Sequence, residues 1–270
     1  MPAIDIWSGR NRLFAFASYC PEMATETDRY VALDALRGLS AMAVVLFHCG
    51  THLDNPAIMG HGALAVDVFF VMSGFVMERA YGAKLRSGWS LRAFAAARLR
   101  RLYPLYAFGI LLGVLCVALR LGPHADLSAS LAVLGLVACA ALFIPIPRDG
   151  SKPVFPLNGP SWSLMAEIVV NALYASVLRR LSHCRLLAVA LTAALGLGGA
   201  WKAGLPLLQG GQTATLWLDL TRAAFGFSAG LLLAAYQDQI RATPLGSIRL
   251  PVLLAFAVGI YGIPTDALPL

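Results

Sequence analysis

Charge is scarce in this chain. Asp, Glu, Lys and Arg make up 13% of its 270 residues, about half the quarter that soluble globular domains carry. That deficit excludes a water-soluble globule. With 59% apolar residues, the chain is equally far from the polar, charge-rich composition of disordered segments. It has no glycine at every third position and no sustained heptad, so collagen and coiled coil are excluded as well. The five cysteines, Cys20, Cys49, Cys116, Cys139 and Cys184, stand far apart with no C-x-x-C pair. Neither a disulfide framework nor a zinc site is expected, and no metal. Walker, G-x-S-x-G, H-E-x-x-H and G-x-G-x-x-G signatures are all missing, so the templates of soluble enzymes do not apply.

What is present is long apolar stretches, with a mean hydropathy of +0.71. A helix needs about 20 mainly apolar residues to cross a bilayer. Allowing a buried charge within a span, the pattern predicts helices near 33–52, 63–80, 102–119, 128–146, 161–178, 186–201, 215–235 and 250–265. The expected fold is an all-α, polytopic membrane bundle of about eight helices, forming one domain over 31–270 without internal repeats. Residues 1–30 hold only a brief apolar patch, Leu13 to Tyr19, behind Arg10 and Arg12. They are expected to form a cytoplasmic tail, unless Met23 is the true start and the segment is a start-site artefact.

Basic residues outnumber acidic ones 21 to 14, and their placement is more telling than the total. Arg79, Lys84, Arg86, Arg92, Arg98, Arg100 and Arg101 fall between the second and third spans against a single acid, Glu78. The positive-inside rule assigns that stretch, and with it the amino terminus, to the cytoplasm. The first loop, Gly50 to Gly62, has no Lys or Arg and faces outward. Farther on the rule conflicts with itself, because eight spans send Arg179, Arg180 and Arg185 outside. Either one span is miscounted or the 147–165 stretch is re-entrant. A pI near 9.4 invites a nucleic-acid reading, but juxtamembrane cations serve orientation and lipid headgroups, so no nucleic-acid partner is expected.

Ionisable groups inside a span cost about 2.5–3.5 kcal/mol each at its centre on insertion scales and mark functional sites by default. In the first span Asp34 and Arg37 are three apart and can pair. Arg37 and His48 are eleven apart, about three turns, so one helix face carries both across roughly 16 Å. The plain alternative is a topological anchor and a hydrogen-bonded packing histidine. The second span carries Asp67 and then Phe69-Phe70-Val71-Met72-Ser73-Gly74-Phe75, where small residues suit a close helix contact or a site-lining backbone. Arg98 and Arg101 share a face and suit phosphate, or equally lipid headgroups. Pro104 fits the first turn of the next helix. In the fifth span Trp162 suits a membrane interface, and Glu167 and Asn171, four apart, can hydrogen-bond to each other. The seventh pairs Asp219 with Arg222, ahead of Gly226 and Gly230, which permit close packing.

Four motifs in order, Arg37-x10-His48, Phe69-Phe70-Val71-Met72-Ser73-Gly74-Phe75, Arg98-x-x-Arg101-x-x-Pro104 and Trp162-Ser163-Leu164-x-x-Glu167, resemble acyltransferase family 3. These are bacterial inner-membrane enzymes that acylate surface polysaccharides and other acceptors. The resemblance implies transfer of an acyl group, most often acetyl, from acyl-CoA to a hydroxyl of a saccharide, with no tightly bound cofactor. Carried over, His48 is the catalytic base or transient acyl carrier, Asp34 steadies Arg37, and Glu167 is the essential acid. Arg37, Arg98, Arg101 and Arg222 meet the donor, while Phe70, Ser73, Gly74, Pro104, Trp162 and Ser163 complete the motifs. Its expected partners are membrane lipids, acyl-CoA and a saccharide acceptor. Family members usually run to about ten spans, so the domain reads as shortened at its C-terminus. A transporter or flippase with a buried proton relay, or an inactive truncated member, is the alternative.

Overall fold

A computed structural model describes residues 26–242 except 56, 57, 59, 123–125 and 151; the side chains of 26–32 and of Arg241 are likewise not described. Of the predicted tail 1–30, residues 1–25 lie outside these residues and 26–30 begin the first helix; the predicted eighth span, 250–265, also lies outside them. The remaining seven spans all fall on helices: α1 (Glu26–His52), α2 (Leu64–Met77), α4 (Leu91–Leu121), α5 (Leu127–Ala141), α6 (Ser161–Ser176), α7 (His183–Lys202) and α8 (Leu216–Ala235), with short α3 (Ala83–Arg86) and α9 (Gln237–Arg241) between and after them. No strand is found among the described residues, only one isolated bridge between Pro153 and Gln212. Five segments, Leu33–His52, Leu91–Leu121, Ser161–Arg180, His183–Lys202 and Leu216–Ala235, are long and apolar enough to cross a membrane. The chain is an all-helical membrane protein.

The basic stretch after α2 is helical rather than a loop. A π-turn (Glu78–Gly82) and α3 prolong α2. Gly88, at φ +96°, then breaks the run, because only glycine takes such a backbone angle without strain. Ser90 opens α4 by accepting a hydrogen bond from the Ala93 amide at 3.2 Å, a standard N-cap. The third helix therefore starts at Leu91, eleven residues before the sequence expectation. Pro104 sits inside it and not in its first turn, because the capping serine overrides the charge density that had marked Arg92–Arg101 as a connection.

Helix directions follow from paired contacts. Asp67 meets Arg222 and Gly74 meets Phe227, so α2 and α8 run parallel. Phe70 meets Trp162, Ser73 meets Glu167 and Glu78 meets Tyr174, so α6 runs the same way. The α2–α8 contact is close. A Cβ on Gly74 would collide with the Phe227 carbonyl, and one on Gly230 with the Val71 carbonyl. Only glycine at both positions lets these backbones touch. Tyr174, Phe227, Met77 and Leu231 fill the interior beside that seam.

The conflict over Arg179, Arg180 and Arg185 is resolved by α5. Fifteen residues rise about 22 Å, short of the ~30 Å hydrocarbon core. Asp126 caps the helix, and the Ala129 amide and Ser128 hydroxyl it accepts hold its carboxyl below the ordinary carboxylate range. Its far end leans on α4, where the Tyr106 hydroxyl donates to the Ala140 carbonyl at 2.7 Å and the Tyr106 ring stacks on Phe143. The chain then turns back along the same helix, with Asn158 against Gly109 and the Leu157 carbonyl against Gly113. The re-entrant arm is thus α5 plus the described residues of 142–160, a longer unit than 147–165. With one crossing removed, Arg179 comes to the basic end of the bundle and donates to the Leu85 carbonyl at 2.6 Å.

Candidate functional site

Four helices enclose a cavity of about 420 Å³. α1 supplies Arg37 and Val44, α2 supplies Phe70 and Ser73 among a row of apolar side chains, α4 supplies Arg98 and Arg101, and α6 supplies Ser163 and Glu167. Seven of the residues singled out by sequence therefore meet on one wall. They come together because α2 and α6 run parallel while α4 crosses their contact face, so positions from separate motifs reach the same depth.

Glu167 is the focus of the wall. Its Oε1 accepts from Arg98 Nη2 at 2.5 Å and from Ser73 Oγ at 3.1 Å. Arg98 is buried, with 7% of its side chain exposed, and Glu167 is partly open at 21%. Sequence spacing had suggested Asn171 as the partner of Glu167. The amide of Asn171 instead lies buried on α6 with no hydrogen-bond partner among the described residues, because α6 turns it into the helix packing while Glu167 points at α4. Arg98 and Arg101 also differ. Arg101 is exposed and forms no ion pair among the described residues, whereas Arg98 is already paired and buried.

On α1 the Asp34–Arg37 pair forms as expected, at 2.8 Å and largely exposed. His48 does not line the cavity. Val44 does, and His48 lies four residues farther on the same helix face, one turn beyond the cavity wall. Its ring makes an edge contact with Phe47. The face shared by Arg37, Val44 and His48 thus leads from the cavity toward the histidine.

The remaining motif residues are structural in this arrangement. Ser163 reaches the cavity while its hydroxyl donates to the Pro160 carbonyl at 3.0 Å. Gly74 sits at the α2–α8 seam. Trp162 is 9% exposed and packs between Phe70 and Gly210–Gly211, so it is a core residue and not an interface anchor. Arg222 lies outside the cavity. Its Nε and Nη2 hold both oxygens of Asp67 at 3.0 and 2.8 Å. Nη1 donates to the Leu207 carbonyl, Nη2 also to the Ala63 carbonyl, and the guanidinium stands 5.7 Å from the Trp162 ring centre. Four of the five guanidinium N–H groups are thus bonded within the protein, and Nη1 also stands 3.8 Å from the Asp219 carboxylate, so Arg222 is largely committed to the fold. Asp219 lies 3.8 Å from Arg222 and accepts from the Gly211 amide at 2.8 Å. The Asp67–Arg222 bond was not anticipated from the sequence. The spacing had offered Asp219 as the partner of Arg222, and the signal for the longer-range bond was the lone Asp67 within the apolar run of α2.

No group of three or more potential metal ligands clusters among the described residues. What the wall can do is bind negative charge at Arg37 and Arg101, hold a carboxylate in place, and line an apolar channel beside both. Comparison with known proteins adds a chemical class. The acyltransferase-domain family, acyltransferase family 3, matches residues 30–268. "Protein 2 in picA locus" of Rhizobium radiobacter is 37% identical over 163 residues, 55% of this chain and 82% of that protein. "Exopolysaccharide production protein ExoZ" of Rhizobium meliloti is 29% identical over 229 residues, 83% of this chain and 67% of that one. No solved structure matches. With the match spanning nearly the whole chain and the family's motifs meeting around one cavity, this membrane protein belongs to acyltransferase family 3 and is an acyltransferase.

Proposed function

We propose that the chain transfers an acyl group, acetyl in the first instance, from acyl-CoA to a hydroxyl of a saccharide bound for the cell surface. The observation that carries this reading is the cavity itself, where Arg37, Arg101 and Glu167 stand among apolar side chains, with His48 one turn beyond Val44 on the α1 face that lines it. A volume of about 420 Å³ lies within the range of small-molecule sites. The cations suit the phosphates of coenzyme A, and the apolar side chains suit its thin pantetheine arm. The relative named for exopolysaccharide production supports a saccharide acceptor.

In this mechanism a neutral His48 takes the proton of the acceptor hydroxyl as its oxygen attacks the thioester carbonyl carbon. The new C–O bond forms, the C–S bond breaks, and the thiolate recovers the proton from the imidazolium. Glu167, held by Arg98 and Ser73, borders the path of the donor. The positive-inside rule applied to the end bearing Lys84, Arg86, Arg92 and Arg179 supports an inner-membrane orientation with that end and the amino terminus in the cytoplasm. Acyl-CoA would enter there, and membrane lipid would cover the apolar outer faces.

The test compares O-acetyl content of envelope glycans by proton NMR in the wild-type host, a deletion strain, and the deletion complemented with His48→Ala. The expected result is loss on deletion, restored by the wild-type gene and not by His48→Ala at equal membrane abundance. Full restoration by His48→Ala would remove that residue from the mechanism. Unchanged acetyl content on deletion would refute the acetyl-to-glycan assignment.

A further inference from the structure

The two arginines of the Arg98-x-x-Arg101 motif occupy opposite environments one turn apart on α4. Arg101 is exposed at the cavity and forms no ion pair among the described residues. Arg98 is 6% exposed, and its Nη2 is bound to Glu167 Oε1. A phosphate approaching Arg98 would stand beside the carboxylate that already holds Nη2, and its own negative charge would be repelled by that carboxylate at close range. The same Glu167 oxygen also accepts from Ser73, so two elements, α2 and α4, pin one oxygen of the carboxyl. The other oxygen, Oε2, has no protein donor among the described residues, and the residue borders the cavity.

We propose that the motif divides its work: Arg101, with Arg37, takes the donor's phosphates, while Arg98 is a positioning residue that locks Glu167 so that Oε2 is presented to the reacting groups. This deepens the donor reading above and rests on it. Pinned through Oε1, the carboxyl keeps one orientation without an entropic cost at the moment of reaction. Its open oxygen accepts a hydrogen bond from a substrate N–H or O–H. The burial of Arg98 is then a design requirement: away from water, one charge-assisted hydrogen bond is enough to fix the acid.

The experiment uses full-length protein in detergent with coenzyme A as the probe, together with envelope O-acetyl content in the complemented deletion strain. Arg101→Ala is expected to weaken coenzyme A binding by about tenfold or more. Arg98→Lys, which keeps the buried charge but loses the planar fork, should leave that affinity within about twofold while lowering transfer by roughly a hundredfold. In a Glu167→Gln background, Arg98→Lys should cost little further activity, whereas Arg101→Ala should add its full effect, since only coupled residues are non-additive. Ser73→Ala, a milder change at the same oxygen, should lower transfer in the same direction with donor affinity intact. Equal loss of coenzyme A affinity from Arg98→Lys and Arg101→Ala would overturn the division of roles. So would full transfer activity in Arg98→Lys. Wild-type protein that binds no coenzyme A would overturn the donor reading first and this division with it, a result separable from both.

Discussion

Two buried ion pairs cross the interior of this bundle, and they are built on opposite principles. Arg222 is almost fully engaged: two oxygens of Asp67, two backbone carbonyls and the face of Trp162 surround it and take four of its five N–H donors. It ties the start of α2, the loop through Leu207 and α8 into one block. Arg98 is under-used. One nitrogen meets Glu167, its Nε is buried without a partner among the described residues, and a cavity lies alongside. Removing one partner of a buried pair strands the other charge, which is costly in either place. The open pair, however, leaves capacity for a substrate, and the closed one leaves little. Near-full engagement marks the arginine that holds the fold, and incompleteness marks the one beside the chemistry.

The contrast can be broken most forcefully at the closed pair. Asp67→Ala would leave Arg222 charged and buried, and is expected to destabilise the folded protein by about 3–5 kcal/mol, read as a loss of thermal unfolding midpoint in detergent. A stable Asp67→Ala protein would show that the two pairs are not different in kind. At the open pair, Glu167→Gln should reverse the balance. It keeps shape and one hydrogen-bonding oxygen, so membrane abundance should hold while transfer falls by about 10²–10⁴-fold.

A third test concerns the frame that separates the two pairs. Gly74→Ala places a methyl group against the Phe227 carbonyl, and overpacking of this kind costs about 1–3 kcal/mol. Both pairs should loosen together, since α2 carries Asp67 as well as Ser73, and denaturation should shift while donor affinity falls only modestly. The smallest effect is expected at Asp126, remote from both pairs. Its carboxyl is held below the ordinary range by the Ala129 amide and Ser128 hydroxyl. A depressed value means the cap's contribution is fully present above the unfolded carboxylate pKa of about 3.9 and is lost only as pH falls through the lower folded value. Hydrogen exchange at the Ala129 and Ser130 amides should therefore stay protected from neutrality to below pH ~4. In Asp126→Ala the protection should be weaker at every pH.

Much of the molecule was legible beforehand. Apolar runs located seven described helices because hydrophobic length is dictated by the bilayer, a local property of the chain. The pair of Asp34 and Arg37 was readable because three residues on a helix share a face whatever surrounds them. Glycines at 74, 226 and 230 announced close packing, since nothing else admits two backbones so near. Reading failed where the answer lay on another helix. Asn171 has the right spacing for Glu167, yet Arg98 and Ser73 arrive from α4 and α2 and take that role. Trp162 has the composition of an interface residue and is covered by the Gly210–Gly211 turn. Pro104 looked like a helix start because the charges before it resembled a loop, and the Ser90 cap was too short a signal to outweigh them.

The sequence by itself therefore determined that this is an all-helical membrane protein of the acyltransferase 3 family. Both follow from one-dimensional features: the length of apolar segments, and motifs in a given order. Tertiary structure alone decided that α5 turns back instead of crossing, which brings Arg179 to the end that carries Arg86. It also decided which arginine is almost fully engaged and which stands beside a cavity. Those outcomes depend on the relative depth and rotation of helices far apart in the chain, and such pairings are chosen by packing and charge satisfaction in three dimensions, where local spacing has no say.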